Sequence, residues 1–310
     1  MKFLTVSQWA DKYRMVSKEH SIEPGPWRTS RTPYMKEIMD AINHDDTQNI
    51  VVMSGSQVGK TELLLNIIGS HMHQEPSPVM IVEPTLDLAM HFSHGRLSAM
   101  VKEVPELSAL IGGCHQKHML TFAGANSAAS LSSWPSRIVL LDEIDRYPLG
   151  DKEDLISIVI KKSNVFYNRK IVMTSTPAYK GVSKIKAAYE NSTMEQWCLP
   201  CPSCGEYQPL SWDQMNIKLC SMLCKHCGSS HIENEWRNGN GKWIARKENA
   251  KTRGFHISGL ASPWVEWEEA FRRFSLAKEN GTEELMLWAA MTLGEQWNNH
   301  AEFCRKSKMR

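Results

Sequence analysis

The stretch "VVMSGSQVGKTELLLN", residues 51–66, joins a continuously apolar run to a second apolar periodicity through small and polar residues that end in Gly59-Lys60-Thr61. The first run reads as a strand buried on both faces and the second as a helix. A strand-turn-helix that closes in Gly-Lys-Thr can hold the phosphate tail of ATP. Backbone amides point inward at the helix start, Lys60 meets the β and γ phosphates, and the Thr61 hydroxyl serves Mg2+. The strict pattern has glycine five residues before Gly59, where Ser54 stands, and Gly55 comes one place late. The fingerprint is therefore a variant in which Ser54, Gly55, Ser56, Gln57, Val58 and Gly59 line the turn. Taken alone, Gly-Lys-Thr also fits an ordinary helix cap.

"IVLLDEID", residues 138–145, supplies what the turn lacks. Four apolar residues deliver Asp142 to a strand end, where it can hold hydrated Mg2+, and Glu143 beside it can polarise a water toward the γ phosphate. "MTSTP", residues 173–177, ends another strand in small hydroxyl residues, so Thr174, Ser175 or Thr176 can sense that phosphate, although a satisfied strand-end turn explains them equally. Hydrolysis also calls for a cation beyond Lys60. No arginine lies between Ser54 and Thr61, which leaves Arg31, Arg96, Arg137 and Arg146 as candidates, in this chain or reaching a neighbouring subunit.

Around these segments, helices are expected over 5–17, 32–44 (Thr32 as cap, Pro33 in the first turn), 60–73 and 86–104, and strands over 49–55, 78–85, 118–124, 137–145 and 168–177. Buried strands alternating with helices predict an α/β fold with a mostly parallel central sheet covered by helices, and they place strand-end polar residues in its ligand crevice. The chain has 310 residues, 42% of them apolar, with 36 Lys and Arg against 34 Asp and Glu. That is room for one large domain and a smaller unit. The near-balanced charge argues neither for nor against a polyanion partner. No signal-like or membrane-length apolar run occurs, so the expectation is a soluble intracellular chain.

From about residue 195 paired cysteines take over. "CPSCG" at 201–205 and "CKHCG" at 224–228 are matching turns at four-cysteine zinc spacing, which makes Cys201, Cys204, Cys224 and Cys227 the candidate ligands of a small inserted hairpin unit. Cys198 and Cys220 form a competing set, and His226 or His231 can replace a sulfur. "KKSNVFYNRK", residues 161–170, has four basic and no acidic residues and is a candidate for holding the phosphate backbone of DNA. A solvated helix end accounts for the same charges.

"TPYMKEIMDA", "SGSQVGKTE", "VEPTLDLAMHFSHGRL", "FAGANSAASLSS", "IVLLDEIDRYP", "MTSTPAYKGVSKI" and "TLGEQW" come in the order and spacing of a known family. Together they resemble the large terminase subunit of tailed bacteriophages, in its lambda-like A-protein branch, over residues 5–298. The resemblance implies a P-loop ATPase that drives double-stranded DNA into a procapsid. It would work with a small terminase subunit and a capsid portal, as a homo-oligomeric ring in the host cytoplasm. It implies Lys60 and Thr61 as the phosphate and magnesium pair, Asp142 as the magnesium carboxylate, Glu143 as the catalytic glutamate, residues 174–176 as the coupling motif, Tyr34 as a ring stacked on adenine, and structural cysteine knuckles.

The expected organisation is an adenine-side segment over 1–45, an ATPase core over 46–195, the zinc insert over 196–235, a return over 236–298, and a linker over 299–310 toward a nuclease domain. That nuclease is expected to be missing from this chain by truncation, or supplied by a partner. Many packaging ATPases have arginine just before the phosphate-loop glutamine, where Ser56 stands here. Two other readings are a helicase-like nucleic-acid ATPase, which needs a second motor domain, and a zinc adaptor that binds nucleotide without hydrolysing it.

Overall fold

The computed structural model describes residues 3–111, 119–127, 131, 135–148, 155–249 and 251–297. Thr5 starts helix α1 (Val6–Tyr13) with a reciprocal capping box, its hydroxyl accepting the Gln8 amide while the Gln8 side chain takes the Thr5 amide. The helix ends sooner than its periodicity suggests because Met15–Val16 (β1) pairs antiparallel with Gly25–Pro26 (β2). Helix α2 covers Tyr34–Ala41. Thr32 does not cap it. Its hydroxyl is buried without a partner, and the helix instead starts from Pro33, whose ring sets the φ of a first turn.

The described residues divide into two compact units, one formed by those within 1–51, 59–174 and 250–253, the other by those within 52–58, 175–249 and 254–297. In the first unit, β4 (Val79–Glu83), β5 (Leu120–Gly124), β6 (Ile138–Leu141) and β7 (Lys170–Ser175) lie in the order β7-β6-β4-β5, all parallel. Strand β3 (Asn49–Ser54) begins here and leads toward α3 (Lys60–Gln74). Every residue of β4 and β6 is buried, as a parallel sheet covered on both faces requires. The stretch 86–104 is one helical run broken in pitch: α4 (Leu86–His91), a π-helical turn over Phe92–Leu97, and α-helix again over Ser98–Glu103.

In the second unit, β8 (Glu195–Pro200) pairs antiparallel with β9 (Tyr207–Pro209) and β13 (Lys242–Ile244), and parallel with β14 (Thr252–Ile257). Residues 196–200, grouped by composition with the cysteine-rich insert, thus belong to a mostly buried strand that meets β14 at Glu195 and Gln196. Trp197 packs edge-on against Trp243, their ring centroids 5.5 Å apart. The cysteine unit proper is the three-stranded antiparallel sheet β10 (Met215–Asn216), β11 (Ser221–Leu223) and β12 (Ser230–Ile232). Helices Trp267–Asn280 and Thr282–Trp288 follow, and a π-helical turn closes the run over Ala289–Leu293. Among the described residues no helix is long and apolar enough to cross a membrane.

Candidate active site

Register brings three side chains into one row. Val82 of β4 is level with Leu141 of β6, which is level with Met173 of β7, so the next residues, Glu83, Asp142 and Thr174, stand side by side at the carboxyl edge of the sheet. The Asp142 amide donates to the Val82 carbonyl at 3.0 Å, continuing the ladder one step past β6. The Thr174 hydroxyl donates to Asp142 Oδ1, and the Glu143 amide donates to the same oxygen at 3.0 Å.

Glu143 takes a left-handed conformation, φ 50°, which turns its side chain out of the strand's alternation. Its Oε1 lies 3.3 Å from Lys60 Nζ at the start of α3. The lysine and the acidic pair, 82 positions apart from Lys60 to Asp142, therefore meet.

Burial makes this row electrostatically expensive. Asp142 is pushed up to about 6, first by burial and then by Glu143. The Thr174 hydroxyl, Lys60 and the Glu143 amide oppose the shift. Glu83, only 7% exposed, is pushed up to about 8 by burial and by the charges of Asp142 and Glu143. Tyr147, whose hydroxyl donates to the Val82 carbonyl at 2.8 Å, is held well above its ordinary value by the same burial. Three carboxyl groups sharing one buried edge favour a cation there. Glu83 was not among the residues singled out from sequence. The signal that could have found it is its place at the end of an apolar strand, the same argument that selected Asp142.

Within the second unit, the earlier half of the turn before α3 is fixed by the closing segment of the chain. The Gly55 amide donates to the Ile257 carbonyl at 3.1 Å. The Ser56 amide and hydroxyl both donate to the Met291 carbonyl, at 2.7 and 3.0 Å. The Gln57 carbonyl accepts the Ser262 hydroxyl at 2.7 Å, and Gln57 is left-handed at φ 56°. A Cβ on Gly55 would stand 2.8 Å from the Thr292 carbonyl oxygen, so glycine is required at 55 by close approach. Ser54, fully buried, donates to the Gly55 carbonyl, and Val58 is buried. Gly59, at φ 93°, opens α3, and Thr61 is half-buried on its first turn.

Other expected residues are placed differently. Tyr34 is 1% exposed, so in this conformation its ring has no open face on which adenine could stack. Lys170 is buried, its ammonium donating to the carbonyls of His44 and Thr47 at 2.5 and 2.6 Å. It is thus withdrawn from the basic segment, whose Lys161 and Lys162 remain exposed. Ser175 donates to the Thr176 carbonyl at 2.9 Å, and the Thr174 hydroxyl bonds Asp142. Part of "FAGANSAASLSS", and residues 299–310, lie outside the described residues.

The four cysteines of the matched turns converge. Their sulfurs all lie within 4.8 Å of one another, with Cys201–Cys227 and Cys204–Cys224 each at 3.7 Å. Sulfurs held at about 2.3 Å from a tetrahedral centre are about 3.8 Å apart, so this donor set can hold a zinc ion. The two turns are built alike. The Gly205 amide donates to the Cys201 carbonyl at 2.9 Å and the Gly228 amide to the Cys224 carbonyl at 3.0 Å, with both glycines left-handed at φ 78° and 74°. Cys198 bonds the Gln196 carbonyl within β8 and Cys220 the Ile217 carbonyl, while His231 is engaged by Ser203 and Glu235. The competing ligand set is therefore not assembled.

Residues 21–243 match the family model described as phage terminase large subunit gpA, ATPase domain. The chain belongs to this family. It is 26% identical to the terminase large subunit of Enterobacteria phage P21, over 95% of the chain and 53% of that protein. It is 23% identical to the terminase large subunit of Escherichia phage lambda, over 94% of the chain and 53% of that protein. The chain thus spans about half the length of the curated relatives it matches. The crystal structure of the HK97 bacteriophage large terminase superposes with a TM-score of 0.60 at 12% identity, covering 94% of this chain and 55% of that one, which supports the same α/β fold. The terminase ATPase domain is accordingly an ATP hydrolase, and its mostly parallel sheet presents Glu83, Asp142 and Thr174 at the edge where ligands bind in such folds.

Proposed function

We propose that this terminase ATPase domain is the motor that couples ATP hydrolysis to movement of double-stranded DNA into a procapsid, with turn 54–59 as its phosphate loop. The observation that carries the reading is the 3.3 Å approach of Lys60 to Glu143 beside the buried Asp142. Without nucleotide, Lys60 neutralises Glu143. On binding, the ammonium moves to the β and γ phosphates, and Glu143 is released to orient water. Asp142 and Thr61 hold Mg2+, which when bound neutralises charge developing on the phosphates. Thr174, hydrogen-bonded to Asp142, passes the state of that carboxylate into β7 and on to residues 175–176.

Cys201, Cys204, Cys224 and Cys227 hold a structural zinc ion. No open ligand position is indicated, so its work is to fold the three-stranded unit. Lys161 and Lys162, exposed where Lys170 is buried, are the lysines of the 161–170 segment that meet DNA phosphates. A small terminase subunit, a capsid portal and a ring of identical chains complete the machine in the host cytoplasm. A helicase-like arrangement is not favoured, because among the described residues the chain after 195 forms an antiparallel edge and a cysteine sheet, with no second strand-helix motor set. Replacing Glu143 with Gln tests the reading against a non-hydrolysing adaptor. ATP turnover should fall by roughly 10^2 to 10^4 while ATP binding persists. Equal, near-zero turnover in parent and variant would instead favour the adaptor.

A further inference from the structure

Two arginines flank one carboxylate on the first turn of α3. Glu62 follows Thr61, and side chains in a helix lean toward its N-terminus, so this carboxylate overhangs the end where an anion is held. Arg14, 4% exposed, donates to Glu62 Oε2 at 2.8 Å and also to the Met15 carbonyl. Arg96 reaches only to 3.7 Å from Glu62 Oε1, beyond hydrogen-bond distance, and keeps 41% of its side chain exposed. Arg14 already neutralises Glu62, so the charge of Arg96 is surplus. A partly solvated pair of this kind is worth about 0–1 kcal/mol, so it can be broken readily.

The backbone under Arg96 is also easily rearranged. Arg96 lies in the π-helical turn Phe92–Leu97, a winding that is rare and found often at functional sites. Gly95 before it has no packing reason to be glycine, since a Cβ there would meet nothing closer than the His20 ring at 3.9 Å. It weakens the helix by about 1 kcal/mol relative to alanine.

Arg137 and Arg31 are placed less well. Arg137 is paired with Glu75 at 2.9 Å and precedes β6, so the four-residue strand sets it about 13 Å or more from Asp142. Arg31 is bound to both oxygens of Glu23. Arg146, exposed on the turn after Glu143, is the rival candidate, since its charge acts on the carboxyl row by opposing the upward shift of Glu83. Ser56, where a loop arginine would stand, is tied by amide and hydroxyl to Met291.

We propose that Arg96 is the second cation of the phosphoryl-transfer site, leaving Glu62 when nucleotide binds and meeting polyphosphate oxygens of the same chain. This rests on the reading of Lys60, Asp142 and Glu143 as the ATP site. Arg96 exchanges no proton. The water oxygen bonds to the γ phosphorus, the bond to the bridging oxygen breaks, ADP leaves with that electron pair, and the water proton passes through Glu143.

The test compares the parent with Arg96→Ala, Glu62→Gln and Arg146→Ala, in ATP turnover and in affinity for a nonhydrolysable ATP analogue against ADP. The expected result for Arg96→Ala is a kcat loss of at least about 100-fold with a small change in KM, partial rescue by added guanidinium, and at least about tenfold loss of the preference for the ATP analogue over ADP. Glu62→Gln should stay within about threefold of the parent, and mixing Arg96→Ala with Lys60→Ala chains should restore nothing. Equal losses in Arg96→Ala and Glu62→Gln would reduce Arg96 to an ion-pair partner and overturn the proposal. So would parent-like Arg96→Ala, a loss confined to Arg146→Ala, or recovery on mixing. If parent turnover is too low to read, the affinity arm decides. A parent that binds neither nucleotide would sink the ATP-site reading itself, a separate outcome.

Discussion

The carboxyl edge of the parallel sheet and the paired cysteine turns each gather acidic or thiol groups toward one point, but by opposite routes. The edge draws Lys60, Glu83, Asp142, Glu143 and Thr174 from four separate segments and holds carboxyl groups close enough to raise each other. The cysteine turns take all their donors from residues 201–227 and fix each pair with the same local hydrogen bond. A site built from sheet register can be held under electrostatic tension, because the surrounding core fixes the groups in place. A site in a small three-stranded sheet has little core behind it and must draw stability from whatever its donors bind.

The largest effect should therefore fall on the cysteine unit. Cys201→Ser, or a chelator applied to the parent, is expected to remove about one zinc per chain and destabilise the second unit by roughly 5 kcal/mol or more. Metal analysis with thermal unfolding checks this, and folding unchanged without zinc would erase the contrast. Next, Lys60→Ala should lower ATP turnover about 10^3-fold, about 4 kcal/mol, while zinc content stays at the parental level. A coupled loss of zinc would mean the two regions are not independent.

Gly55→Ala brings a methyl to 2.8 Å from the Thr292 carbonyl oxygen and 3.0 Å from that of Met291. Stability should fall by about 1–3 kcal/mol and nucleotide affinity with it. Equilibrium unfolding and nucleotide titration measure both, and a neutral result would show that the 289–294 segment yields freely.

The smallest effect is a pH dependence. Glu83 is raised to about 8 from an ordinary value near 4.5, so between those values the folded state holds more proton than the unfolded state. Metal-free stability therefore falls as pH rises through that window. Glu83→Gln should flatten the slope and stabilise the metal-free protein by about 1–2 kcal/mol above pH 8. Unfolding at pH 5.5 and 8.5 without divalent metal reads the difference, and an unchanged slope would remove the claimed tension at the sheet edge.

Much of the fold was legible because its signals are local. The apolar run before Gly59 and the two Cys-x2-Cys-Gly turns each carry their reason within a few residues. Other features depend on contacts that no local pattern carries. Residues 196–200 share the texture of the cysteine unit yet belong to β8, which pairs with β14 through Glu195 and Gln196, and Lys170 counts as basic yet caps the 44–47 turn. Tyr34 reads as an available ring until the packing around it is known.

The sequence by itself determined the strand-turn-helix around Lys60, the strand ends at Asp142 and Thr174, and the four-cysteine spacing, since side-chain period, turn chemistry and ligand spacing act over a few residues. Only the tertiary structure decided that Glu83 joins Asp142, that Met291 fastens Ser56, that Lys60 reaches Glu143, and that Glu62 stands between Arg14 and Arg96. Those contacts depend on strand register and on helices packed against the sheet, which are settled by burying apolar surface from distant segments together.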